Sequence, residues 1–215
     1  MKKMICSVLT VFLLLNGFLQ SSAQVKVDIG DPSRWQIYNR SLQSVSKDSV
    51  AFSPGPDGGL WILKEKQWDP ATIEFDVRGE NNMNQSFVGI AFNVQDEKTY
   101  EAIYFRPFNF YNPDTARRPR AVQYIYMPDY PWEKLRAEHP GQYEHKVLNA
   151  PNPDKWFHAK IVFTYPEIKV FVDGNTTPSL VVNRLAPRRS GKIALWLGNG
   201  SRGSFANLVV TDKKR

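Results

Sequence analysis

Apolar and polar residues alternate with a period of two along most of this chain, and Gly, Pro, Asn and Asp separate the apolar runs. This period is typical of β-strands that bury one face. The run Thr72–Val77 shows it most clearly. Strands are predicted at Trp35–Tyr38, Val50–Phe52, Gly59–Leu63, Thr72–Val77, Phe87–Val94, Tyr100–Phe105, Val122–Met127, Trp156–Phe163, Lys169–Val172, Leu180–Val182, Gly191–Gly200 and Ser204–Thr211.

The alternation stops at residues 128–155, a segment rich in proline that we call the 128–155 loop. Long irregular connections in compact domains are often lids or binding loops. A short helix is predicted inside it at Trp132–Glu138, and turns are predicted at Tyr165-Pro166 and Asp173-Gly174. Because no long amphipathic helix is evident, the pattern predicts an all-β fold, a jelly-roll sandwich of two antiparallel sheets with a ligand face on the concave one.

The N-terminus has the pattern of a secretory signal peptide. Two lysines precede the apolar run Ile5–Leu15, and small residues follow at Ser21–Ala23. The apolar run is too short for a transmembrane span, although an uncleaved membrane anchor is the alternative. We therefore expect a signal peptide at 1–23, a single β-sandwich domain at 24–215, no stable membrane insertion after cleavage, and a secreted or periplasmic protein.

Cysteine usage and charge exclude several classes of function. The only cysteine, Cys6, lies inside the predicted signal peptide, so the mature chain would have no disulfide, thiolate–metal site or cysteine nucleophile. The formal net charge is +7, but the basic residues are scattered along the chain rather than gathered in a stripe. A nucleic-acid partner is therefore not predicted.

Metal chemistry has little support in the sequence. The chain has three histidines, and no two of them have the spacing of a transition-metal site, so no such site is predicted. Calcium remains possible because it needs only oxygen ligands. Asp96, Asp173 or Asn199 could supply them from loops.

Two acidic residues on one predicted strand are a candidate glycosidase signature. Glu74 and Asp76 share a face of their predicted strand, but Arg78 follows them and the next acid is displaced to Glu80. Sandwich-fold glycosidases place their carboxylates on one strand face. We interpret this face as a solvated outer surface.

A second cluster begins where the strand Tyr100–Phe105 ends. Arg106 and Asn109 stand there among aromatic residues, a combination suited to polyols, because rings stack on sugars while Arg and Asn bind hydroxyls. The alternative is an aromatic core in which Arg106 forms an ion pair with Glu101 or Asp76. With the 128–155 loop added, the predicted ligand-binding residues are Arg106, Asn109, Gln123, Tyr124, Tyr130, Trp132 and His145.

An enzyme would need a general acid or base. The available candidates are Glu101, Asp129, Glu133, His139 and His145. No nucleophilic serine motif is present.

The strands Phe87–Phe92 and Tyr100–Pro107 and the closing segment Gly191–Leu208 resemble concanavalin A-like (laminin-G-like) sandwiches. The resemblance includes the bacterial 3-keto-disaccharide hydrolase domain family. It implies a jelly-roll fold and an oligosaccharide or polysaccharide ligand, but it supplies no catalytic residues. The sequence favours an exported glycan-binding domain. The alternatives are a glycoside or 3-keto-glycoside hydrolase and a structural surface protein without a small ligand.

Overall fold

The structure is a computed structural model that describes residues 24–187 and 190–213. The predicted signal peptide, 1–23, lies outside the described residues. The strands are β1 (Gln24–Lys26), β2 (Trp35–Tyr38), β3 (Leu42–Val45), β4 (Ser49–Phe52), β5 (Gly59–Leu63), β6 (Pro70–Arg78), β7 (Val88–Val94), β8 (Tyr100–Phe105), β9 (Val122–Met127), β10 (Glu144–His145), β11 (Phe157–Thr164), β12 (Glu167–Val172), β13 (Leu180–Asn183), β14 (Lys192–Leu197) and β15 (Gly203–Asp212). The α-helix α1 spans Trp132–Glu138, and short 3-10 helices lie at Pro32–Arg34, Pro107–Asn109 and Thr115–Arg120.

The strands form two sheets that pack face to face. Sheet A has the order β13-β12-β11-β6-β15-β4-β3, with β1 also paired to β15, and sheet B has the order β10-β9-β8-β7-β14-β5-β2. The named strands pair antiparallel with their neighbours. The predicted all-β sandwich of two antiparallel sheets is confirmed.

The core lies between the inner faces of the two sheets. Ile73, Phe75 and Val77 on β6 are fully buried, as the alternation predicts. Aromatic pairs cross from sheet to sheet: the ring centroids of Phe92 and Phe163 lie 4.9 Å apart. Edge-to-face rings at this distance add to the stability that burial gives.

Local predictions outside the core are confirmed at three places. The helix α1 has the predicted bounds, Trp132–Glu138. Tyr165-Pro166 connects β11 to β12, and Asp173-Gly174 follows β12 with positive φ values of 47° and 70°. In the part of the chain that is described, no helix is both long and apolar enough to cross a membrane.

The sequence pattern did not predict the strands β1, β3 and β10. All residues of β3 are exposed, and β3 is the last strand of sheet A. An edge strand without a buried face has no apolar alternation, so its sequence carries no period-two signal.

The outer face of sheet A carries the acidic pair Glu74 and Asp76. Asp76 Oδ1 lies 2.8 Å from His158 Nδ1, and Asn207 donates to Asp76 Oδ2 at 2.7 Å. Glu74 Oε1 lies 3.4 Å from Lys160 Nζ. The two acids thus lie on a polar surface with basic partners, in agreement with the interpretation of an outer face.

A buried ion pair connects the two sheets. Glu101 on β8 points inward, and Arg184 follows β13 at the edge of sheet A; their side chains are 0% and 2% exposed. Arg184 Nε donates to both carboxylate oxygens, at 3.0 and 3.1 Å, and Nη2 makes a further short contact. The Tyr124 hydroxyl and Asn93 Nδ2 also donate to Glu101, at 2.7 and 2.9 Å. Burial disfavours the charged form of Arg184, but its hydrogen bonds to Glu101 raise its pKa overall.

The replacement Arg184→Ala is expected to reduce the free energy of unfolding by about 3–5 kcal/mol, because it leaves the Glu101 carboxylate buried without its counter-ion. Urea denaturation followed by tryptophan fluorescence measures this difference. The matched control is Lys169→Ala, which removes an exposed partner of Glu167 and should cost about 1 kcal/mol or less. Equal losses in the two variants would contradict the assigned role of the buried pair.

Candidate functional site

A cleft of about 600 Å³ lies on the outer face of sheet B. We call it the aromatic cleft, because Tyr100, Tyr104 and Trp196 form its floor and Trp132 forms one wall. The lining residues are Asp57, Gly58, Asn84, Phe87, Tyr100, Tyr104, Ile125, Met127, Pro131, Trp132, Glu133, Trp196, Gly198 and Asn199.

The strand register puts the rings of the cleft floor on one face. Gly89 on β7 lies opposite Tyr104 on β8 and opposite Trp196 on β14. Residues directly opposite in antiparallel strands share a face. The Tyr104 and Trp196 rings therefore meet above Gly89, with centroids 4.6 Å apart. Trp196 Nε1 donates to the Tyr100 hydroxyl at 3.1 Å, which fixes the second tyrosine of the floor.

Glycine at position 89 is required by this packing. A Cβ atom there would lie 2.1 Å from the Ile103 carbonyl oxygen and 2.7 Å from Tyr104 Cβ. Any side chain would push β7 away from β8. The contact between the two rings thus depends on the absence of a side chain between them.

Trp132 of α1 forms a wall of the cleft and is 39% exposed. The Arg136 guanidinium lies 4.6 Å from the ring centroid of Trp132. Arg136 also donates to both carboxylate oxygens of Glu144 on β10, at 2.9 and 2.6 Å. Its hydrogen bonds to Glu144 raise the pKa of Arg136. The helix that carries Trp132 is therefore tied to the edge of sheet B.

Arg40 holds two loops of the cleft rim together. Its guanidinium is buried and donates to carbonyl oxygens on both loops: Pro56 at 2.9 Å and Asp57 at 2.8 Å on one, Leu197 at 3.3 Å and Gly198 on the other. Burial lowers the pKa of Arg40. No pattern in the sequence indicated this role.

Arg106 lies beside Tyr104 and is 5% exposed, but it is not among the residues that line the cleft. It donates to the Tyr104 hydroxyl at 2.7 Å, to the Arg120 carbonyl oxygen at 2.8 Å and to Gln123 Oε1 at 3.3 Å. Burial lowers the pKa of Arg106. The arginine thereby supports the floor tyrosine through its hydroxyl.

The acidic partner of Arg106 is Glu144, at 3.7 Å. The sequence offered Glu101 or Asp76 as its ion-pair partner, and both expectations are wrong. Glu101 is instead taken by Arg184, and Asp76 lies on the outer face of sheet A beside His158.

The structure brings only part of the predicted ligand-binding set to the aromatic cleft. Of that set, only Trp132 lines the cleft. Four members are buried: Arg106, Asn109, Gln123 and Tyr124. Tyr130 is half-buried, and His145 is exposed. Gln123 and Arg106 touch each other, whereas Tyr124 faces the core and His145 lines a separate groove with Leu180. Their role in ligand binding stays a prediction.

The candidates for acid–base chemistry are dispersed. Only Glu133 lines the aromatic cleft. Glu101 is buried between the sheets, Asp129 lies in the turn after β9, His139 caps the end of α1, and His145 is exposed. Tyr104 in the floor is not a candidate base near neutral pH, because burial raises the pKa of its hydroxyl to about 12 and the hydroxyl keeps its proton.

Sequence reasoning missed Tyr100, Tyr104, Trp196 and Asp57 as cleft residues. The signal was available for the first two, since Tyr100 and Tyr104 fall on the same face of a strand with a period of two. The sequence does not show which face of β8 turns away from the core, because Glu101 on the other face is paired with Arg184, which is remote in sequence.

The three proposed calcium ligands lie apart and already accept backbone hydrogen bonds. Asp96 Oδ1 accepts from Thr99 N at 2.7 Å, Asp173 Oδ1 from His158 N at 2.8 Å, and Asn199 Oδ1 from Asp57 N at 3.0 Å. Within residues 24–187 and 190–213, no group of three His, Cys, Asp or Glu side chains is arranged to hold a metal ion.

Gly89→Ala is expected to destabilise the protein by about 1–3 kcal/mol or more, through overpacking between β7 and β8. It should also change the near-ultraviolet circular dichroism, because the Tyr104 and Trp196 rings would separate. Gly58→Ala is the control, since a Cβ there would lie 3.6 Å from its nearest neighbour, the Tyr100 hydroxyl. An unchanged spectrum and unfolding midpoint for Gly89→Ala would refute the packing argument.

The chain matches the family model described as the 3-keto-alpha-glucoside-1,2-lyase-like domain over residues 25–211. No curated protein sequence matches the chain closely enough to count as a relative.

Solved structures with a similar fold include the carbohydrate binding module CBM66 from Bacillus subtilis, with a TM-score of 0.61, 11% identity, and coverage of 83% of this chain and 96% of that one. A native glycosidic hydrolase aligns with a TM-score of 0.56 and 14% identity, over 89% of this chain and 96% of its own. The exoplasmic/lumenal domain of VIP36, in a form bound to Ca²⁺ and Man3GlcNAc, aligns with a TM-score of 0.55 and 10% identity, over 88% and 87%. At these identities the likeness concerns the fold. The match over residues 25–211 shows that the chain belongs to the family of 3-keto-alpha-glucoside-1,2-lyase-like domains.

Proposed function

We propose that this protein binds carbohydrate in the aromatic cleft. The observation that carries the proposal is the composition of that cleft: Tyr100, Tyr104 and Trp196 form its floor and are each 7% exposed or less, Trp132 at the wall is 39% exposed, and polar residues line the rim. Such a site matches the chemistry of a sugar, whose ring has apolar C–H faces and a polar edge of hydroxyls.

The polar rim supplies both donors and acceptors for hydroxyl groups. Asn84 and Asn199 carry side-chain amides, and Asp57 and Glu133 carry carboxylates. Burial raises the pKa of both floor tyrosines, that of Tyr104 to about 12, so neither hydroxyl ionises near neutral pH. This distribution favours recognition by stacking and hydrogen bonding over chemistry on the sheet.

The family and the neighbouring folds support the same class of ligand. The family description names a glucoside, and the neighbours include a carbohydrate binding module and a mannose-containing glycan complex. Because a signal peptide is also expected at 1–23, we infer that the protein is exported and binds its glycan in the periplasm or outside the cell.

A second candidate function is a lyase or hydrolase that acts on a 3-keto-glucoside. The observation that favours it is that two carboxylates, Asp57 and Glu133, line the same cleft. Elimination across C1 and C2 needs a base for the C2 proton, while the C1–O bond breaks and the departing alcohol takes up a proton. Glu133 or Asp57 is the available base, and the other carboxyl group is the available acid.

Trp132→Ala is expected to weaken binding of a disaccharide by about 1 kcal/mol or more, a roughly fivefold or larger change in Kd, because one stacking ring is lost. Trp196→Phe should weaken binding in the same direction while keeping a ring in the floor. Isothermal titration against glucose-, mannose- and fructose-based disaccharides measures the affinities.

The matched control for these variants is Trp156→Ala. Trp156 is 40% exposed, close to the value for Trp132, but it lines no part of the aromatic cleft. Circular dichroism confirms that each variant is folded. Disaccharide affinities that stay unchanged in Trp132→Ala and Trp196→Phe would rule out binding in this cleft.

The enzyme hypothesis predicts that Glu133→Gln or Asp57→Asn abolishes turnover of a 3-keto-disaccharide with little change in affinity, because the amide cannot accept the proton. Release of reducing sugar, followed by chromatography, measures turnover. Turnover that survives in both variants would refute the roles assigned to these two carboxylates, and turnover that is absent from the wild type would leave only the binding function.

A further inference from the structure

A second cleft, of about 570 Å³, lies at the end of sheet A. We call it the polar cleft, because its lining includes Arg78, Glu80, Asn82, Asp154 and Arg202. Its volume falls in the range of about 300–1,000 Å³ that is typical of small-molecule sites. Amides, guanidinium groups and carboxylates in one concave site can bind many hydroxyls.

The two clefts share two loops. The loop from β6 to β7 contributes Asn81 and Asn82 to the polar cleft and Asn84 and Phe87 to the aromatic cleft. The loop from β14 to β15 likewise contributes Gly198 and Asn199 to the aromatic cleft and Arg202 to the polar cleft. The clefts therefore lie on opposite sides of one ridge, which we define as residues 83–87 and 198–201.

Hydrogen bonds between the two loops fix this ridge. Phe87 N donates to Ser201 Oγ at 2.9 Å, and Gly198 N donates to the Phe87 carbonyl oxygen at 3.0 Å. Ser86 Oγ accepts from Glu80 N at 2.8 Å, and both serines are fully buried. A ligand that crosses the ridge would meet a preformed surface and would not have to order it.

Exposed amides stand on the ridge itself. Asn84, Gln85 and Asn199 are exposed, and Asn84 and Asn199 also border the aromatic cleft. Polar groups therefore continue from one cleft to the other. This continuity suits one chain of sugar residues better than two separate small ligands.

The charges in the polar cleft are balanced. Arg202 Nε lies 3.5 Å from Glu80 Oε1, and Asp154 Oδ1 accepts from Asn81 N at 2.7 Å. The cleft has two guanidinium groups and two carboxylates, so its formal charges cancel. This balance favours a neutral saccharide over a uronate or a sulfated sugar, since an anion would meet the two carboxylates.

We propose that the polar cleft is a second saccharide subsite, which takes further residues of the same neutral sugar chain that occupies the aromatic cleft. The inference rests on the proposed carbohydrate binding in the aromatic cleft, and it specifies the ligand as a long, uncharged oligosaccharide. Binding in both clefts makes the second contact intramolecular, so affinity should rise with chain length.

The test compares disaccharides with hexasaccharides of the cello-, malto- and laminari- series by isothermal titration. In the wild type, at least one hexasaccharide should bind about tenfold or more tightly than its own disaccharide. Arg202→Ala combined with Asn82→Ala should remove most of this gain and leave the disaccharide affinity unchanged. Arg34→Ala, which also removes an arginine paired with a glutamate but lines neither cleft, should keep the full gain.

The outcomes separate this inference from the proposed function. Disaccharide binding without a gain for any hexasaccharide, or a gain that the double variant retains, would overturn the second subsite alone. A failure of every disaccharide and hexasaccharide to bind would overturn both. A hexagalacturonate that binds more tightly than the neutral hexasaccharides, and loses this advantage in Arg78→Ala, would overturn the assignment to neutral sugars.

Discussion

The buried ion pair of Glu101 and Arg184 determines which side chains reach the aromatic cleft. Side chains alternate between the two faces of a strand, so a slip of one residue exchanges the faces completely. With Glu101 held inward by Arg184, Tyr100 and Tyr104 must point outward. A shifted strand would bring a carboxylate to the cleft floor and break the buried pair of Glu101 and Arg184, a change that costs several kcal/mol. This contact between the sheets, together with the buried Ile103 and Phe105 on the same face of β8, holds the register of β8 and thereby determines which side chains reach the site.

Charged groups near the cleft mostly serve to position its rings. Arg106 holds the Tyr104 hydroxyl, and Arg136 joins the Trp132 ring to Glu144. Each of these charges is already balanced or hydrogen-bonded, so it has little capacity left for a substrate. The carboxylates at the rim, Asp57 on a loop and Glu133 on α1, are the groups available for acid–base chemistry. This division supports the proposed binding function, and it makes the rim the place where binding and catalysis can be distinguished.

The sequence predicts features that depend on neighbours along the chain and fails for those that depend on remote partners. The alternation of Thr72–Val77, the helix Trp132–Glu138 and the turn at Asp173-Gly174 are local, and all are confirmed. The ion-pair partner of Arg106 could not be predicted from its neighbours, because Glu144 lies in another segment of the chain, whereas the ligand-binding role of Arg106 stays a prediction. The need for glycine at position 89 likewise emerges only when three strands are in register.

The ridge between the two clefts follows from the strand order. β6 is paired with β15 in sheet A, and β7 is paired with β14 in sheet B. The connections from β6 to β7 and from β14 to β15 therefore cross between the sheets side by side, at the same end of the sandwich. Because each connection leaves one sheet and enters the other, its first and last residues lie near different sheets. These pairings place residues of the same two loops at both clefts, so the proposed extended ligand surface follows from the topology, and the side chains determine what it binds.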